Sequence, residues 1–95
     1  MADKVPVTNN ESANRFEARV GENTAILTYM RQPDALVLTH TEVPEELEGR
    51  GLGGDLVRTA MDYARTEGLR IVPRCPFVLT WLKRHPEYED VVQKQ

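Results

Sequence analysis

Three features of this chain could carry chemistry. The first is the stretch EVPEELEGRGLGGDLV, Glu42 to Val57, in which Gly49, Gly51, Gly53 and Gly54 crowd together. Glycine at such density lets something approach the main chain closely. An amphipathic helical pattern follows at once, so the first free N–H groups of that helix point back into the glycine loop, Glu48 to Gly54. Those donors and the helix dipole form an anion site suited to phosphate. No Lys-Ser/Thr pair follows, so the loop is not a Walker motif. The strand before it closes a meander instead of opening a first βαβ unit, which argues against a dinucleotide fingerprint. A flexible glycine-rich connector is the alternative.

The second feature is Cys75, set between Arg74 and Pro76 at the expected start of a helix. A thiol at a helix amino end beside an arginine has a lowered pKa. The alternative is a small buried hydrophobe, the usual fate of a free cysteine. The third is histidine. His40 shares an alternation face with Leu36 and Leu38, which by itself describes a histidine at the core edge. His85 falls at a helix end, where it reads as a cap. One cysteine and two histidines make a poor zinc set, so no metal is expected. Glu42, Glu45, Glu46 and Glu48 surround the loop and read as a solvated face or an attraction for a cationic amine. Arg50, Lys83 and Arg84 are the cations placed for phosphates.

The chain that must position these groups has 95 residues and a formal net charge of −3. That is one domain without a basic field, so no nucleic-acid partner is expected. No apolar run reaches membrane-spanning length and Met1-Ala2-Asp3-Lys4 is no signal peptide, so no membrane partner is expected either. A single cysteine fits a reducing, cytoplasmic setting. A monomer or weak dimer is expected.

The polar residues Met1 to Ala13 read as a loose lead-in. From Arg15 to Val20, Phe16, Ala18 and Val20 alternate with Arg15, Glu17 and Arg19, predicting a half-buried strand. Gly21-Glu22-Asn23 turns into a second strand, Thr24 to Arg31, and Gln32-Pro33-Asp34 into a third, Ala35 to Val43. Leu52, Leu56, Val57, Ala60, Met61 and Ala64 then form one helical stripe that Gly68 stops. Leu69 to Arg74 is a short strand. Pro76 opens a last helix with Phe77, Val78, Trp81 and Leu82 as its apolar face, and Pro86 ends it. Residues 87–95 fit a strand, a turn of helix or a tail equally. The result is an α+β domain: an antiparallel meander, a β–loop–α–β crossover and a C-terminal helix. In a parallel crossover the carboxyl ends of both strands and the amino end of the helix share one sheet edge. His40 to Val43, the glycine loop and Arg74-Cys75 therefore converge.

EGRGLGGDLV resembles the pyrophosphate loop of the GNAT acyltransferase superfamily, written Q/R-x-x-G-x-G/A. Glu48 takes the first place, where it departs from the usual amide or cation, and Gly51 and Gly53 take the others. The resemblance extends to a small stand-alone GNAT-like subgroup of predicted acetyltransferases. It is carried by Val43-Pro44, Gly51 to Gly53, Gly68-Leu69, Val72-Pro73, Cys75-Pro76-Phe77-Val78 and Arg84-His85-Pro86-Glu87-Tyr88, across roughly Thr39 to Val92. It implies a single minimal GNAT domain over residues 1–95, acetyl-coenzyme A as cosubstrate and an amine acceptor, small molecule or protein. It assigns cofactor contacts to Thr41, Glu42, Val43, Glu48, Gly49, Arg50, Gly51, Leu52, Gly53, Gly54, Cys75 and Phe77. In the subgroup a histidine on the third strand and the cysteine after the fourth are candidate catalytic residues. A bulge, common near that strand's end in such folds, would aim His40 at Cys75 as acid or base. Transfer could be direct or pass through Cys75. A module that binds the coenzyme without catalysis is the alternative.

Overall fold

A computed structural model describes residues 5–93. Five strands form one sheet in chain order: β1 (Val7–Asn10), β2 (Arg15–Val20), β3 (Asn23–Arg31), β4 (Ala35–Glu42) and β5 (Arg70–Pro73). The first four run antiparallel, and β5 joins β4 in parallel through the helix α1 (Leu52–Glu67). A second helix, α2 (Pro76–Arg84), follows β5, and a 3-10 turn (Pro86–Val91) closes the described chain.

The expected strands and helices are present, with ends displaced by a residue or two. The lead-in is corrected. Residues 7–13 are an edge strand on β2 followed by a short 3-10 turn, and only 1–4 of that segment lie outside the described residues. Their polar sequence hides a strand because β1 is held mainly by its ladder, with Val7 its one apolar residue against the core.

One side of the sheet is the core. Phe16, Ala18, Ala25, Leu27, Tyr29, Leu36, Leu38 and Ile71 meet the α1 stripe of Leu52, Leu56, Val57, Ala60, Met61 and Ala64, joined by Val78 and Trp81. That is the period of two meeting the period of 3.6, as the alternation requires. Gly68 adopts a left-handed conformation and its N–H donates to Ala64, ending α1.

Glu17, on the opposite face, is nevertheless buried. Asn10 Nδ2 donates to its carboxylate at 3.0 Å and Arg15 Nε at 2.6 Å. Those bonds, Asn10's first, outweigh desolvation and hold its carboxyl below the usual carboxylate range.

One expectation for the C-terminal part changes, and one left open is decided. Phe77, expected in the core, is 43% exposed. Beyond α2 the chain returns to the sheet: Val92 bridges Ile71 in parallel, and Gln93 N–H donates to the Ile71 carbonyl at 2.8 Å. His85 caps α2 as expected, with its ring stacked on Trp81 at 3.8 Å and Nδ1–H donating to the Trp81 carbonyl at 2.8 Å.

Candidate active site

The site lies where β4 and β5 part. Their ladder runs from Ala35↔Arg70 to Leu38↔Pro73, and Arg74 N–H still reaches the Leu38 carbonyl at 2.9 Å. Past that point β4 continues to Glu42 with only β3 beside it, while the other chain turns into α2 at Cys75. One edge of Thr39–Glu42 is thereby left without a strand partner. The amino ends of both helices are formed by the chain next to this opening: Gly51 caps α1 and Cys75 caps α2.

The four clustered glycines divide into two kinds. Gly49 and Gly51 have φ of +86° and +74°, which side chains rarely adopt. They turn the chain into the helix. Gly53 and Gly54, expected in the loop, lie instead in the first turn of α1. A Cβ on Gly53 would stand 2.7 Å from Phe77 Cζ, and one on Gly54 would stand 3.2 Å from Trp81 Nε1. These two glycines let α2 lie close against α1. They also add no side chain of their own to that helix start. The first α-helical bond runs from Asp55 N–H to the Gly51 carbonyl at 3.1 Å, and no side chain caps the turn. The amides of Leu52, Gly53 and Gly54 are thus the donors a helix leaves unpaired at its start.

Glu48 ends a 3-10 turn (Glu45–Leu47) anchored by buried Leu47, and its own side chain is exposed. Arg50 is exposed beside it, and Val43 packs partly against the core.

Cys75 is buried, with Sγ 3.4 Å from Thr41 Oγ1. Burial is the largest single influence on the thiol and pushes its pKa up. Hydrogen bonding from the Thr41 hydroxyl, then from the Val78, Phe77 and Thr41 backbone, outweighs it, and the thiol ends below its ordinary value. The helix start acts as expected through its amides. Arg74, which is exposed, is not among the main influences.

His40 goes elsewhere. In the β3–β4 ladder Thr28 pairs with His40 but Tyr29 pairs with Leu38, so Thr39 is an extra residue in β4. The bulge exists, but it aims His40 away from the thiol. Side chains alternate again after it, with His40 and Glu42 on one face and Thr41 on the other. His40 Nε2 meets Glu42 Oε1 at 3.4 Å with both side chains largely exposed, while Thr41 meets Cys75. The expected His40–Cys75 pair does not form. Thr41, taken from the sequence only for coenzyme contact, holds that place. The broken alternation of Leu38-Thr39-His40-Thr41, one apolar residue and then three polar ones, is the signal that could have revealed it.

Residues 15–91 match the family model described as GCN5-related N-acetyl-transferase. Protein NATD1 of Xenopus tropicalis is 28% identical over 88 residues, covering 90% of this chain and 81% of that protein. Protein NATD1 of Danio rerio is 29% identical over 93 residues, covering 93% and 84%. In structure the chain is similar to a GCN5-like candidate N-acetyltransferase from Staphylococcus aureus, solved by NMR, with a TM-score of 0.72 at 30% identity over 96% of this chain and 90% of the other. The matched segment holds the parted strands, both helix starts and Cys75, and the chain belongs to the GCN5-related N-acetyltransferase family.

Proposed function

We propose that the chain transfers acetyl from acetyl-coenzyme A to an amine of a small-molecule or protein acceptor, with Cys75 as the group that takes the acetyl first. The observation that carries this reading is the uncapped start of α1, at the same opening as the Cys75 sulfur. Bare amides with a helix dipole behind them fit a diphosphate. Leu52, Gly53 and Gly54, with Arg50 beside them, would hold the pyrophosphate, and Gly49 and Gly51 shape the approach. Thr41, Glu42 and Val43 offer the open strand edge to the pantetheine arm by strand addition. Glu48 contributes backbone alone. Phe77, half-exposed over Gly53, supplies an apolar wall.

Bound there, the cosubstrate supplies an acetyl group already activated as a thioester. Cys75 contributes a thiolate favoured by local donors. Its sulfur forms the new bond to the acetyl carbon as the coenzyme leaves, and the departing thiolate takes a proton from water. An amine then takes the acetyl from Cys75 and gives up its own proton to water. His40 has no contact with Cys75 and is given no part in these steps.

Calorimetric titration with coenzyme A and acetyl-coenzyme A, followed by intact mass, tests the proposal. Binding of both and one acetyl adduct, lost in Cys75→Ala, is the expected result. Full turnover by Cys75→Ala with an amine acceptor would replace the covalent route with direct attack. Binding without turnover across an amine panel would leave a coenzyme-binding module. Absence of binding would end the proposal.

A further inference from the structure

We propose that Thr41 is the positioning residue for Cys75, occupying through the β4 bulge the place that strand alternation would otherwise give to a neighbour. The inference rests on the reading of Cys75 as the acetyl-accepting group and names what holds it.

Three observations carry it. Thr41 Oγ1 lies 3.4 Å from Cys75 Sγ, a contact between residues 34 apart in the chain, so it exists only because β4 and the start of α2 face each other here. Second, the bulge that turns Thr41 toward the sulfur is itself fastened. Thr28 Oγ1 and Thr39 Oγ1 are 2.7 Å apart, Thr39 Oγ1 donates to the Thr28 carbonyl at 3.2 Å, and Thr28 Oγ1 reaches the His40 carbonyl at 3.4 Å. With the same sequence and no bulge, strict alternation from Leu38 would put His40 on the core face and Thr41 on the solvent side. Third, the sulfur is buried while the hydroxyl is half-buried, so the contact sits at the rim of the opening and not deep in the core.

The chemistry follows from the inventory of a hydroxyl. Against the thiolate, the Thr41 O–H donates; against the thiol, the hydroxyl can accept instead. The contact therefore persists through deprotonation and holds one sulfur orientation in both forms, while the thiol proton itself leaves to solvent. A methyl in the same place fills the space and does neither.

Thr41→Val, Thr41→Ser and His40→Ala would be compared by the pH dependence of Cys75 alkylation with iodoacetamide, in which the sulfur–carbon bond forms as iodide leaves. The thiolate's ultraviolet absorbance against pH gives the same midpoint where burial slows the reagent. Thr41→Val should move the midpoint up and slow alkylation several-fold at neutral pH. Thr41→Ser should restore both, and His40→Ala should change neither. An unmoved midpoint in a Thr41→Val protein with native circular dichroism would overturn the proposal, as would a His40→Ala shift as large as that of Thr41→Val. None of these readouts needs acetyl-coenzyme A. Loss of acetyl transfer with the midpoint pattern intact would therefore count against the proposed function and leave the Thr41 assignment standing.

Discussion

The two ends of the β4–β5 seam are built in opposite ways. At the end where β5 begins, the seam is sealed. Arg70 N–H donates to the Asp34 carbonyl at 2.9 Å, Val92 adds a bridge to Ile71, and Arg65 and Arg70 reach Asp90 and its carbonyl. Tyr88 lies buried there between α1 and α2, 5.5 Å from the Trp81 ring and 4.9 Å beneath the Arg65 guanidinium. Its hydroxyl donates to Asp62 at 3.0 Å and accepts from Arg58 at 3.3 Å. At the other end the strands part, glycines strip side chains from a helix start, and backbone donors stay unpaired. A chain of this length has little core to spare. The side-chain interactions concentrated at one end hold the helices in place, which lets the other end leave polar backbone unpaired.

If that division is real, the largest effect on the fold comes from the sealed end. Tyr88→Ala removes a buried ring and should destabilise by about 3–5 kcal/mol, the range for aromatic truncation in cores. Tyr88→Phe keeps the ring and should cost about 1 kcal/mol for its hydrogen bonds. Urea unfolding measures both. Should Tyr88→Ala unfold within about 1 kcal/mol of wild type, the sealed end does not hold the domain together.

The open end should answer in the reverse sense. Gly53→Val sets its Cβ against the Phe77 ring, whose half-exposed position lets it swing aside. Stability should fall by only about 1 kcal/mol, from overpacking that is relieved outward. Coenzyme A affinity should fall tenfold or more, about 1.4 kcal/mol, because branched side-chain atoms now flank the free amides. Calorimetry alongside urea unfolding separates the two quantities. Undiminished affinity would show that those amides are not the grip.

The same contrast explains what the sequence could disclose. Strands β2 to β4, α1 and its Gly68 stop were legible because each obeys a local period or a local backbone rule. The glycine cluster was legible as the turn into a helix start, but Gly53 and Gly54 are bare because Phe77 and Trp81 pack on them, and no local pattern carries that contact. Cys75 could be placed at a helix start by Pro76 alone. Its partner is harder to read, because a single extra residue at Thr39 exchanges His40 for Thr41, and the trace it leaves is the run of three polar residues after Leu38. The strand β1 is hidden for a different reason: VTNN is held by backbone pairing, by Asn10 reaching Glu17 and by the single apolar contact of Val7, too little for an apolar period.

Glu17 gives the smallest of these effects, and one that belongs to neither end. Its carboxyl is held below the ordinary range in the folded protein by Asn10 and Arg15. A depressed folded pKa means that the folded state binds its proton less readily than the unfolded chain does. The stabilisation is complete above the ordinary carboxylate value of 4.5 and is lost as pH falls through that value to the lower folded one. Stability measured by urea unfolding should therefore decline across that acid window in wild type and decline less steeply in Glu17→Gln. The amide keeps an acceptor for Arg15 but carries no charge to titrate. Equal slopes in the two proteins would show that Asn10 and Arg15 merely cover Glu17 without favouring its ionised form.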